Sequence, residues 1–318
     1  MSRSVMFDAL RVIPILFVIA VVHARQYSNY LCNAIDGHFP AWGYIVGAMA
    51  TVFFISGYLL AVRTKIHDWT DVASFYRKRL VRILPLYALA LVTFPPASSW
   101  YIKPLAVLGL NNFVFGIGAN GSARNLLTLW FVSVLIVFYY VFPLIIRFKT
   151  GKSRILFCIG VELLLAAGVY FFKWETRMIY YFPFFALGVV ASKFSEKTIF
   201  LASLILGSAY GVIRLSGMID NIEMLLRPAR AFVVVAVSCA ISFISCLRKP
   251  LEVLAYSSFC AYLFHRQVFS LLKLMQLPDG CSRICVIYFV LVPLSVIVGW
   301  CVQHCYDKSV NLLLKDRA

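Results

Sequence analysis

Runs of roughly twenty mostly apolar residues recur along this chain, and no other feature narrows its fold as far. They fall at about 9–25, 42–62, 82–97, 126–146, 155–173, 178–194, 198–216, 229–247, 253–273 and 284–304. Each is long enough, or nearly so, to cross a hydrocarbon layer of about 30 Å as a helix. Within lipid the backbone must bond to itself, which selects helices for such runs. Hydrophobic residues make up 62% of the 318, against about 45–50% in a soluble domain. The expected fold is all-α: a polytopic transmembrane bundle of about ten spanning helices, forming one membrane-embedded domain over 1–318. Arg11 lies within the first run, and His23-Ala24-Arg25 follows it in place of a small-residue cleavage site, so no cleaved leader is expected.

The stretch 104–118 is apolar but short, and Pro104, Gly109, Asn111, Asn112, Gly116 and Gly118 interrupt it. Charge decides its treatment. With a cytoplasmic N-terminus and no crossing at 104–118, eighteen Lys and Arg fall inside and nine outside. A crossing there would move the Arg147–Arg154 cluster outside, against the positive-inside tendency. We therefore read 104–118 as re-entrant or interfacial, and both termini as cytoplasmic. The net charge of +17 sits at the ends of apolar runs, where it orients helices and meets anionic lipid, so a nucleic-acid partner is not expected. The nine cysteines form no C-x-x-C pair. Cys281/Cys285 and Cys301/Cys305 have helical spacing, but only His304 accompanies them, and no metal site is expected.

An ionisable group inside a span marks a candidate site. The first run carries Arg11 near its cytoplasmic end and His23 near its outer end. A guanidinium can clamp a carbonyl or phosphate oxygen; an imidazole can deprotonate a hydroxyl. The plainer reading makes Arg11 a headgroup anchor near Asp8, and His23 an interfacial residue. His265, beside Arg266, is the second intramembrane candidate, for orienting a substrate, for proton relay or for packing. Ser56 and Ser133 lack a Gly-x-Ser-x-Gly turn and read as helix-packing residues. Trp130, Phe131, Tyr87 and Tyr262 read as packing aromatics, and His38, His67 and His304 as solvated or interfacial.

Six segments, in order, carry a resemblance. They are Asp8-Ala-Leu-Arg11 with His23; Phe53-Phe-Ile-Ser56-Gly57-Tyr-Leu; and Phe75-Tyr-Arg77-Lys78-Arg79-Leu-Val-Arg82-Ile-Leu-Pro85-Leu-Tyr87. Leu129-Trp130-Phe131-Val-Ser133, Phe182-Pro183-Phe184-Phe185-Ala-Leu-Gly188 and Ser257-Ser258-Phe-Cys-Ala-Tyr262-Leu-Phe-His265 complete them. Together they resemble the acyltransferase-3 family of integral membrane acyltransferases, whose ten-helix topology agrees with the charge count. The resemblance implies an O-acetyltransferase-like enzyme moving an acyl group, most simply acetyl, from acyl-CoA to a hydroxyl of a cell-surface glycan or lipid-linked saccharide. A bacterial inner membrane is the expected location. It further implies that Arg77, Lys78, Arg79 and Arg82, otherwise a topogenic cluster, hold the phosphates of the acyl-CoA donor. Acyl-CoA enters as a substrate, with no permanently bound cofactor. Arg11 would position or polarise the acyl carbonyl, with His23 as base and His265 as a further catalytic candidate. Direct transfer and an acyl-His relay both remain open. A lipid-linked-sugar permease or flippase and a non-catalytic scaffold in polysaccharide assembly are the alternatives.

One spacing departs from the family pattern, which places ten residues between Arg and His; here there are eleven. At about 100° per residue, eleven steps return to within roughly 20° of the starting face, but twelve swing to about 120°. A π-bulge would absorb the extra residue, and Pro14 is the expected place for such an irregularity.

Overall fold

The computed structural model describes residues 4–29, 41–93, 102–113, 127–148, 150–215 and 229–315. It is 89% helix, and the described residues contain no strand. Within the described residues each of the ten apolar runs is largely helical, although 229–247 breaks after Ser242 and 82–93 belongs to a longer helix. In chain order these are α1 (Val5–Phe17), α2 (Ala41–Arg63), α3 (Trp69–Thr93), the short α4 (Ile102–Val107), α5 (Trp130–Arg147), α6 (Gly151–Phe172) and α7 (Arg177–Ala191). Then come α8 (Glu196–Leu215), α9 (Arg230–Ser242), α10 (Arg248–Ser270), α11 (Cys281–Val286) and α12 (Val292–Lys315). Among the described residues six stretches are long and apolar enough to cross a membrane: Val5–Tyr27, Tyr44–Arg63, Trp130–Arg147, Gly151–Phe172, Glu196–Ile213 and Cys281–Asn311. The others fall short individually. Helix α7 has 15 residues and α9 has 13, while α3 carries the basic run. Helices α9 and α10 meet at a bend of 94°.

The third helix corrects the sequence reading. It begins at Trp69, not near 82, so Arg77–Arg82 lie in its interior and not at its start. Asp68 accepts the Asp71 N–H at 2.8 Å, which caps the helix there. Arg and Lys then continue it readily, because they are good helix formers. The Thr70 hydroxyl and the Asp71 N–H also hold the exposed Asp68 carboxyl below its usual range. The charges that looked like a boundary are part of the element.

Of 104–118, residues 114–118 lie outside the described set. The rest forms α4, a turn through Gly109 at φ 72° and a 3-10 turn over Leu110–Asn112. Six residues of helix reach only about 9 Å, and this segment is not among the candidate spans. Ser133 donates to Asn111 Oδ1 at 2.5 Å and accepts from Asn112 Nδ2 at 2.8 Å. Fully buried, it ties this turn to α5, in keeping with the packing role read for it.

The chain divides into two compact units, residues 1–52 with 196–318, and residues 53–195. In the first, α1 packs on α9 and α10, and α10 packs on α12. Ala9, Val12, Leu251 and Ala255 form a small core between α1 and α10. Asp307 on α12 accepts from Tyr256 at 2.8 Å and from Gln303 at 2.9 Å. In the second unit, Phe53 packs against Phe131, Phe138 and Tyr181 at centroid distances of 4.8, 5.2 and 5.0 Å. Here α2 and α7 cross at reciprocal glycines. A Cβ on Gly57 would strike the Phe185 carbonyl, and one on Gly188 the Phe54 carbonyl. Small residues permit such close backbone approach between membrane helices. Both glycines belong to the motif segments noted above.

Candidate active site

The first helix is distorted where the residue count requires it. Regular α-helix runs from Val5 to Phe17, and Val18–His23 is a π-segment. The Ala24 N–H bonds to the Ile19 carbonyl, five residues back. One wide turn absorbs one residue, so twelve steps from Arg11 to His23 advance the helix face about as eleven regular steps would. The distortion lies just beyond Pro14, which sits inside α1, and not at the proline itself. His23 is therefore within the helical run, 6% exposed, and a 3-10 turn, Ala24–Tyr27, follows it.

His23 meets His265 across the first unit. Their Nδ1 and Nε2 atoms are 2.8 Å apart, with ring planes within 7° of parallel. His265 is fully buried on α10, and its Nδ1 lies 2.8 Å from the Tyr262 carbonyl oxygen. These contacts fix the protons. A carbonyl only accepts, so His265 Nδ1 carries hydrogen. With both rings neutral, His265 Nε2 then presents a lone pair, and His23 Nδ1 must donate to it. His23 Nε2 is left with the lone pair, the state a general base needs. The order of base, orienting partner and backbone anchor follows the logic of a catalytic triad.

Other groups surround the pair. Phe269 is edge-on to His265 at 5.8 Å. Arg25 is 2% exposed, although its sequence position suggested a loop charge. Arg266 donates to Gln26 Oε1 at 2.8 Å. Arg11, half-buried, is not one of them: it lies twelve residues before His23 on the same helical run, about 18 Å along the axis.

The basic run belongs to the second unit. Arg77, Lys78 and Arg82 are exposed, whereas Arg79 is half-buried, with its guanidinium 5.7 Å from the Phe75 ring centroid. Three side chains are thus open to a polyanion, and the fourth is turned toward aromatic packing. Trp130 stacks on Tyr181 at 5.5 Å and lies under Arg177 at 4.5 Å, which supports its packing role. His67 is exposed, and His304 is exposed and stacked on Trp300; His38 lies outside the described residues.

Sequence reasoning missed buried charges, among them Arg25, Arg154, Glu175 and Arg230, and the half-buried Glu162. Arg25 and Arg230 stand at the ends of apolar runs in the sequence, yet Arg230 is 2% exposed and donates to the Tyr210 hydroxyl at 2.7 Å. Glu162 lies in the apolar α6, with its Oε2 buried and unbonded among the described residues. A single carboxylate inside an apolar run was the available signal for it.

Multiple apolar helices mark an integral membrane protein, and a buried histidine pair lies within its first unit. The sequence model of the acyltransferase-3 family, an acyltransferase domain, matches residues 5–303, and the chain belongs to that family. Membership implies an acyltransferase acting on a carbohydrate or lipid. Comparison with curated proteins and with solved structures found no match.

Proposed function

We propose that this protein is an O-acetyltransferase that takes acetyl from acetyl-CoA and places it on a hydroxyl of a cell-surface glycan or lipid-linked saccharide. The observation that carries this reading is the buried His23–His265–Tyr262 relay, which leaves His23 Nε2 as a base on a helix that also bears Arg11. His23 takes the acceptor hydroxyl proton as the oxygen attacks the thioester carbon. Arg11, twelve residues earlier and on the order of 18 Å back along the same helical run, positions the acyl donor on its approach to His23. The C–S bond then breaks, and the proton passes to the departing CoA thiolate. His265 orients His23. Arg77, Lys78 and Arg82 bind the CoA phosphates through charge-assisted hydrogen bonds, with Arg79 supporting that face. In this reading all ten apolar helices cross a bacterial inner membrane, both termini are cytoplasmic and 104–118 does not cross. Transfer of radiolabel from acetyl-CoA to glycan in purified membranes, with mass spectrometry of the glycan from a deletion strain, tests it. Unaltered glycan acetylation in the deletion strain, together with no transfer in vitro, would reject it.

A further inference from the structure

A cavity of about 270 Å³ opens in the first unit, lined on one side by Gln26, Tyr27 and Ser28 and on the other by Lys273, Gln276 and Arg283. It lies on the continuation of the two helices whose histidines meet. Gln26 follows His23 by three residues through the 3-10 turn, about 6 Å along its axis. Lys273 follows His265 by eight residues, about 12 Å along α10 and the turn that extends it. The walls are polar in a particular way. Amides and a hydroxyl supply donors and acceptors, and Tyr27 supplies a ring, held edge-on to Phe269 at 5.3 Å.

Among the described residues no carboxylate lines this cavity. Asp279 is nearby, and it accepts from Ser28 Oγ at 2.6 Å and from the Asn29 N–H at 2.8 Å. Among the described residues Arg266, Lys273 and Arg283 stand against that carboxylate. Arg283 donates to the Tyr27 and Leu277 carbonyls, which cancel no charge, and its Nε is buried and unbonded among the described residues. Arg266 spends one donor on Gln26 Oε1, leaving the amide NH₂ of Gln26 for a ligand. Lys273 forms no ion pair with a described residue. We infer that this cavity is the acceptor subsite and takes an acidic saccharide, with hydroxyls on the amides and the Tyr27 ring, and a carboxylate or phosphate on Lys273 and Arg283. The assignment rests on the acyl-transfer reading for the word acceptor, but not for binding itself.

Binding without any acyl donor separates the two claims. Full-length protein in phosphatidylcholine nanodiscs is titrated with a glucuronic acid oligosaccharide, with a glucose oligosaccharide of equal length and with glycerol phosphate as a lipid headgroup fragment. The acidic oligosaccharide should bind at least about tenfold more tightly than the neutral one, since charge-assisted contacts contribute that much. Lys273→Gln should remove most of the difference and Lys273→Arg should keep it, with thermal melting showing both variants folded. Equal binding of acidic and neutral sugars, no effect of Lys273→Gln, or glycerol phosphate binding as tightly as the acidic sugar would overturn the inference. An acidic sugar that binds here but gains no acetyl on addition of acetyl-CoA upholds the cavity assignment and refutes the transfer reading.

Discussion

Replacing His265 distinguishes a base from the group that aims it. His265→Ala removes the acceptor of the His23 Nδ1–H, a contact of 2.8 Å between rings that are 6% and 0% exposed. A buried donor left without a partner costs about 1–3 kcal/mol. If that energy is lost from the state in which His23 Nε2 holds its lone pair, kcat falls by about 5- to 150-fold. His265→Gln restores a carbonyl oxygen near the lost nitrogen and should recover activity to within about tenfold of wild type. The same exchange at His23 supplies no base, so His23→Gln and His23→Ala should both lose about 10²- to 10⁴-fold. Initial rates of acetyl transfer in membranes, normalised to protein level and measured across acetyl-CoA concentrations, read these effects in kcat with KM unchanged. An inactive but well-inserted His265→Gln, or a fully active His265→Ala, would refute the orienting role. A near-wild-type His23→Ala would end the mechanism.

Further outcomes follow from other elements. Arg77→Gln with Arg82→Gln should raise the KM for acetyl-CoA about tenfold, a discounted figure because exposed charges are screened; an unchanged KM leaves these residues only a topological role. A reporter fused after Arg154 should read cytoplasmic and one within 217–228 external, and the reverse pair would restore a crossing at 104–118. Deleting Ala20 should convert the π-segment to regular helix and retain transfer better than inserting one alanine there, which turns His23 by about 100°; equal loss in both would break the link between the bulge and alignment. Gly188→Val drives a side chain into the Phe54 carbonyl and should sharply reduce folded protein in membranes, whereas normal levels would mean that the crossing relaxes freely.

Helix positions were largely legible in the sequence because apolar runs must be helical in lipid, and the described part of each expected run is mostly helix. The start of α3 was hidden because a cluster of Arg and Lys reads as a boundary, although those residues extend a helix once Asp68 caps it. The need for a wide turn could be counted from eleven residues between Arg11 and His23. Its place could not, because Pro14 fixes only where one backbone donor is missing, and the chain relaxes a turn later. The pairing of His23 with His265 joins residues 242 apart, and nothing in local periodicity connects them. Arg25 reads as a loop charge because tertiary burial leaves no mark on a short charged stretch. The motif glycines carried a signal that was read only as resemblance, and their physical content is the contact of two backbones.

The relay ends on a main-chain oxygen. Every amino acid supplies that atom, so no exchange of the Tyr262 side chain can remove it. Scanning by point substitution would pass over position 262 as far as the proton is concerned, and would credit the whole arrangement to the two histidines. The third member becomes visible only when the atom itself is altered, as when an ester replaces the 262–263 amide and weakens the carbonyl as an acceptor. Drift at this position therefore leaves the protonation state of the site intact, so long as α10 stays wound.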